Sequence, residues 1–248
     1  MARHRHLKNA PITEAIIDFK AQSSGKIEPS QLEKLRENLQ GAYVLKGPIR
    51  IGEINLEGAQ EIAVTVATQE LGFRFHSTDE KFVAQFQNQG FTLSRLAPYT
   101  DWTHLKGEAQ RLWPVYVRAV EPKQVVRVAC RYINNLNLPM KPGQDFSEYL
   151  TAGPDVPEAL PQLLMSYMQR VVIPYPDRNV ITILTQLLEP NAAVTIDKVP
   201  LILDVDVQCQ GQFQPGDSRL WDCLERLRGL KNDAFFESIT EAAAMLYE

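Results

Sequence analysis

Between Leu71 and Leu138, short β-like runs, one amphipathic helix and one long strand follow each other through very short connections. Leu71, Phe73 and Phe75 share one face of an alternating run, with Arg74 and His76 on the other. Ser77-Thr78-Asp79-Glu80 turns the chain, Phe82–Phe86 returns, and Gln87–Gly90 turns it again into Phe91–Leu96. Such connections can join only neighbouring antiparallel strands, so the stretch reads as a meander. Trp102, Leu105, Ala109, Leu112, Trp113 and Tyr116 then recur at helical spacing behind a cap at Thr100 or Asp101. Pro114 predicts a kink or a split, because it removes a backbone donor and crowds the preceding turn. Lys123–Leu138 is too long and too β-branched for anything but a strand. One face carries Val126, Val128, Cys130 and Tyr132, and the other Arg127, Ala129, Arg131, Ile133 and Asn135.

The flanking segments extend the pattern. Residues 1–10 form a basic arm with His4 and His6 among Arg3, Arg5 and Lys8, expected to be solvated. Pro11–Ala21 alternates as a strand, with Ile12, Glu14, Ile16 and Asp18 on one face and Ala15, Ile17 and Phe19 on the other. Ser30 and Glu33 have capping-box spacing before a helix striped by Leu32, Leu35 and Leu39 and ended by Gly41. Ile49–Leu56 and Ile62–Thr68 predict a hairpin around Glu57-Gly58. The proline-rich stretch 139–157 predicts a loop, with one helical turn near Phe146–Leu150.

Beyond it, Leu160, Leu163, Leu164, Tyr167 and Met168 predict a helix, and Val180–Leu188 and Ala193–Gln208 predict strands. Gln210–Asp217 reads as a turn. Leu220, Trp221, Leu224 and Leu227 stripe a helix ended at Gly229, and Asn232 or Asp233 caps a last one. The parts 11–121 and 122–248 thus share an order of strand, helix, strands and helix. The expectation is an α+β protein, a curved antiparallel sheet with helices packed on one face. The finer expectation is two pseudo-repeated halves, TATA-binding-protein-like or helix-grip-like.

Composition narrows the function classes. A chain of 248 residues with 44% hydrophobic and 23% charged residues can bury a full core. Its formal charge of −4 gives no overall pull toward nucleic acid or an anionic membrane. No run approaches the roughly 20 apolar residues of a membrane span, and MARHRHLKNAP lacks the apolar segment of a signal peptide, which predicts a cytoplasmic protein. Cys130, Cys209 and Cys223 have neither CxxC nor Cys/His spacing, so they read as reduced packed thiols with no metal role.

Standard reaction motifs are missing. The sequence holds no GxxxxGK[ST], strand-bound GxGxxG, HExxH or GxSxG. No cofactor is expected. His104 sits on the polar side of its helix, and His76 stands beside Ser77 and Asp79 on one segment, whereas triad members converge from several. Glu14 and Asp18 lie roughly 13 Å apart along one strand, too far for paired carboxylate chemistry. Asp204 and Asp206 read as acids on a half-exposed strand.

The sharper candidate is a polar ledge. Arg127, Arg131 and Asn135 project from one strand face, and the strand carrying Glu14 and Asp18 is expected alongside. Guanidinium forks there would pair with those acids or face an anionic ligand. Arg74, His76, Arg95, Tyr99 and Trp102 are the residues that could extend this surface.

The segments NAPITEAIIDF, GFRFHSTDEKFVAQFQNQGFTLSRLAPYTDW, RYINNLNLP and FFESITEAAAMLY resemble a family of sporadically distributed bacterial proteins of similar length. That family carries no assigned activity, so it implies no catalytic residue here. Its patchy distribution implies mobile loci, including defence and toxin–antitoxin loci. With the missing reaction motifs, this favours a non-enzymatic binding or regulatory protein, an accessory, sensor or antitoxin-like component. Its expected partners are a protein encoded nearby or a small anionic ligand. The alternative is an enzyme acting on nucleotides or nucleic acid through Arg127, Arg131, His76 and Glu14.

Overall fold

A computed structural model describes residues 1–23, 25–57, 63–141, 144–176, 179–188 and 198–248, with backbone alone at 29, 52–57 and 63–68. In chain order the elements are β1 (Ile12–Gln22), α1 (Pro29–Leu39), β2 (Tyr43–Glu57), β3 (Ala63–Ser77), β4 (Phe82–Gln87), β5 (Gly90–Leu96) and α2 (Trp102–Val120). They continue with β6 (Gln124–Leu138), a 3₁₀ turn (Phe146–Glu148), β7 (Tyr167–Tyr175), β8 (Val180–Leu188), β9 (Val199–Phe213), α3 (Arg219–Ser238) and α4 (Glu241–Met245). The described strands form one sheet in the order β2-β3-β4-β5-β1-β6-β9-β8-β7. Every neighbouring pair is antiparallel. This is the α+β class expected from the sequence, with β1 and β6 side by side at the centre.

The helices cover one face. α2 packs on β5 and β1, α3 on β6, β9 and β8, and α1 lies against α2 and β2. Beneath them Ala15, Ile17 and Phe19 of β1, Val128, Cys130 and Tyr132 of β6, and Leu203, Val205 and Val207 of β9 are buried. Period-2 alternation makes this face continuous across strands that are far apart in sequence. Phe19 meets Trp113 edge-on at 4.8 Å, and Phe91 lies 6.1 Å from Tyr116, so Trp113 and Tyr116 of α2 serve the core. No described helix lies on the opposite face.

Several local expectations are corrected. α1 is capped by Glu28 in a capping box with Gln31 rather than by Ser30. α2 is one helix through Pro114, which sits on its exposed side, where water can satisfy the carbonyl left free. Val126 falls at a register shift between Val125 and Arg127, so Val125 takes the buried place expected for it. The helix expected over Leu160–Met168 is loop up to β7, where the β-branched run Val171-Val172-Ile173 pairs with β8. Strand β9 continues to Phe213, beyond the start of the expected turn.

The break expected after Gly229 between the two last helices falls at Ile239 instead. α3 runs straight through Gly229, where an added Cβ would meet open space, and Thr240 caps the short α4. The arm is not solvated either. Ala2 and Leu7 are buried, Ala2 N–H donates to the Phe236 and Ile239 carbonyls, and Arg5 pairs with Glu241 and Glu248. The expected turn residue Gly58, the strand start at Ile62 and the strand start at Ala193 lie outside the described residues. Asp101 does cap α2, the helical turn at Phe146 exists, and all three cysteines are free and buried.

Candidate functional site

The ledge forms on the uncovered face because β1 pairs with β6, setting Asp18 opposite Ala129 and Lys20 opposite Arg127. Side chains then meet diagonally across the pleat. Arg127 Nη2 donates to Asp18 Oδ1 at 2.7 Å, and Thr92 Oγ1 donates to Asp18 Oδ2 at 2.7 Å. On the other side Arg127 Nη1 reaches Gln208 Oε1 at 3.4 Å, and Gln208 Nε2 donates to Asp206 Oδ2 at 2.6 Å. One string of hydrogen bonds therefore crosses β5, β1, β6 and β9.

Arg131 does not pair with Glu14. It grips Asp204 with Nε and Nη2, at 2.9 and 2.6 Å, a fork-on-carboxylate geometry. These bonds from Asp204 hold the Arg131 guanidinium proton above its ordinary range, against the opposing effect of burial. Each ledge arginine thus pairs with a carboxylate of a neighbouring strand, while Arg127 Nε stays buried without a partner. A surface cleft remains between Glu14, Gln85, Arg127, Arg131 and Asp206. Asp206 is more than the solvent-facing acid expected for it. Its Oδ1 is buried without a partner, and burial raises its carboxyl above the ordinary range.

The remaining candidates scatter. Arg74 and His76 belong to β3, three strands from β1, where His76 Nδ1 sits 2.9 Å from Glu80. Asn135 is on the uncovered face with its Oδ1 unpartnered. Arg95 faces the helices instead, 4.9 Å over the Phe82 ring, and donates to the Pro98 carbonyl. Tyr99 also lies on the helix side, hydroxyl to hydroxyl with Tyr132 at 2.9 Å, and Trp102 Nε1 donates to Glu225.

That helix side holds a cavity of about 400 Å³ that motif and face patterns do not reveal. Its walls are the arm, the segment Tyr99–Trp102, Tyr132 and Asn134 of β6, and the α3 face bearing Arg228, Lys231 and Phe235. Lys231 continues the apolar stripe Leu220, Leu224, Leu227 at helical spacing, a lysine in a core position. That signal is present in the sequence. Ending the helix at Gly229 hides it.

Among the described residues no group of three or more His, Cys, Asp or Glu side chains could hold a metal ion. No described helix is long and apolar enough to cross a membrane. No protein-family model matches the chain, and neither does any curated protein.

Proposed function

We propose that the chain is a non-enzymatic binding or regulatory protein: an accessory, sensor or antitoxin-like partner of another protein encoded nearby, of the kind found in mobile bacterial and defence loci. The family resemblance supplies the locus type, and three buried free thiols agree with a reducing cytoplasm. The observation that carries the reading is the uncovered sheet face. Its two β6 arginines are paired with Asp18 of β1 and Asp204 of β9, and beside them runs an apolar strip on β9, β8 and β7. Ile202 pairs with Leu187, Ile183 with Val172, and Leu187 with Met168. Met168 is 70% exposed and Val172 47%. A matched polar ledge beside a solvent-facing apolar strip suits a protein interface better than a reaction centre.

The arrangement also supports the finer fold reading. Outward from the centre run β5-β4-β3-β2 beyond β1 and β9-β8-β7 beyond β6, and a long helix closes each series. We read these as two halves of one pattern, TATA-binding-protein-like, with the loop around the 3₁₀ turn in place of the second half's first helix. The test of function is calorimetric titration with the products of adjacent genes. One of them is expected to bind, and Ile183→Asp to weaken it at least tenfold with the circular dichroism spectrum unchanged. Absence of binding by every neighbour overturns the proposal.

A second reading, an enzyme acting on nucleotides or nucleic acid, draws on Asp206. A carboxyl raised by burial beside two arginines could hold a proton for transfer. Turnover of a nucleotide or polynucleotide that disappears in Asp206→Asn would support it, and absence of turnover by the wild type would end it.

A further inference from the structure

Lys231 presents a problem that the fold alone does not solve. It is 8% exposed, on the core stripe of α3, and takes part in no ion pair or hydrogen bond among the described residues. Its Nζ stands 3.6 Å from the centre of the Tyr132 ring, a cation–π contact that offsets only part of the desolvation of an ammonium group. Buried charges are ordinarily paired. This one lines a cavity instead.

The rest of the cavity is built with the same bias. Arg228, one turn before Lys231, also lines it and reaches Glu225 only at 3.7 Å. Among the described residues the one carboxylate on the walls, Asp101, accepts the His104 N–H as the cap of α2. Tyr99 and Tyr132 share a single hydrogen bond between two hydroxyls, so whichever donates, the other keeps a proton to give. Burial raises both phenols, Tyr99 to about 12, so both stay protonated at neutral pH. Phe235, Phe236 and Trp102 supply apolar wall.

We infer that this cavity binds a small organic oxyanion, a carboxylate or phosphate on an apolar body, with the Lys231 ammonium as its counter-charge and a tyrosine hydroxyl as its donor. The volume lies at the small end of ordinary ligand cavities, room for the anionic group and about one ring. The N-terminal arm forms one wall, through His4–Lys8, Ala10 and Pro11. The site lies across the sheet from the proposed docking face and does not depend on that reading.

The probes are benzoate and phenyl phosphate, with benzamide as the neutral control, titrated calorimetrically into the full chain. At least one anion is expected to bind with a submillimolar Kd, and which one identifies the carboxylate or phosphate source. Benzamide is expected to bind at least tenfold more weakly. Lys231→Met should weaken the anion tenfold or more while raising the thermal midpoint, because a charge without a partner leaves the core; a lysine with a purely structural role would lower it. Independently of any variant, the Lys231 side-chain ¹⁵N resonance of the wild type should shift on titration with the bound anion. Failure of both anions to bind, equal binding of benzamide, or an unmoved Lys231 resonance would overturn the inference.

Discussion

Arg131 and Lys231 are cations near the centre of the same sheet, one on each face, and the protein treats them in opposite ways. Arg131 stands on the uncovered face, its side chain 43% exposed, with Asp204 on the next strand bound through two nitrogens. Lys231 lies on the buried face of α3 with an aromatic ring for company and no acid among the described residues. The first arrangement matches a charge where water already helps it. The second leaves a charge unmatched where nothing else does. A polar group kept at a cost to stability is the stronger sign of function, because a group serving only the fold would be paired or replaced.

The largest expected effect tests this directly. Burial, with added repulsion from Arg228, lowers the Lys231 ammonium from 10.5 to about 8, while Cys130, Tyr99 and Tyr132 stay neutral beside it. A displacement of that size corresponds to about 3 kcal/mol of destabilisation at neutral pH. Lys231→Met is therefore expected to raise unfolding stability by about 2 kcal/mol at pH 7 in urea titrations, after some loss of packing. The unfolded chain keeps the Lys231 proton to near pH 10, and the folded chain releases it near pH 8. Wild-type stability should rise across that window, and the advantage of methionine should shrink through it.

On the ledge the sign reverses. Asp204→Ala leaves Arg131 without its carboxylate and should lower stability by about 1 kcal/mol, a modest figure because the guanidinium stays partly hydrated. A double-mutant cycle on Asp18→Asn and Arg127→Met should return a favourable coupling of about 0.5 kcal/mol. A cycle reading zero would free Arg127 for a ligand and blur the contrast between the two faces.

The smallest expected effect belongs to Asp206. Its folded carboxyl keeps a proton that the unfolded chain has already lost, so its contribution to stability falls as pH rises from the ordinary carboxylate range through its raised value. Asp206→Asn should then gain a few tenths of a kcal/mol at pH 7 and nothing at pH 3, read as the difference between two thermal midpoints.

Much of the fold was legible because the deciding signals were local. Alternation in Pro11–Ala21 assigned Phe19 and Asp18 to opposite faces, and the turns at Ser77–Glu80 and Gln87–Gly90 allowed only a meander. The errors fell where local preference was outweighed. Gly229 is a poor helix residue by about 1 kcal/mol relative to alanine, yet α3 continues through it because Leu220, Leu224 and Leu227 before it and Phe235 after it are all buried. Leucine spacing over Leu160–Met168 suggested a helix. Pro161 and the pairing of β7 with β8 decided otherwise.

By itself the sequence determined which side chains share a face, because the periods of strand and helix are built into the backbone. The ledge of Arg127 and Arg131 follows from that alternation alone. Only the tertiary structure decided which acid each arginine meets, since Asp204 lies far along the chain and arrives through the register of β9 on β6. It also decided that Lys231 meets no acid among the described residues. Whether a charge has a partner depends on what packs over it, and here that is a helix, an arm and a pair of tyrosines from four separate parts of the chain.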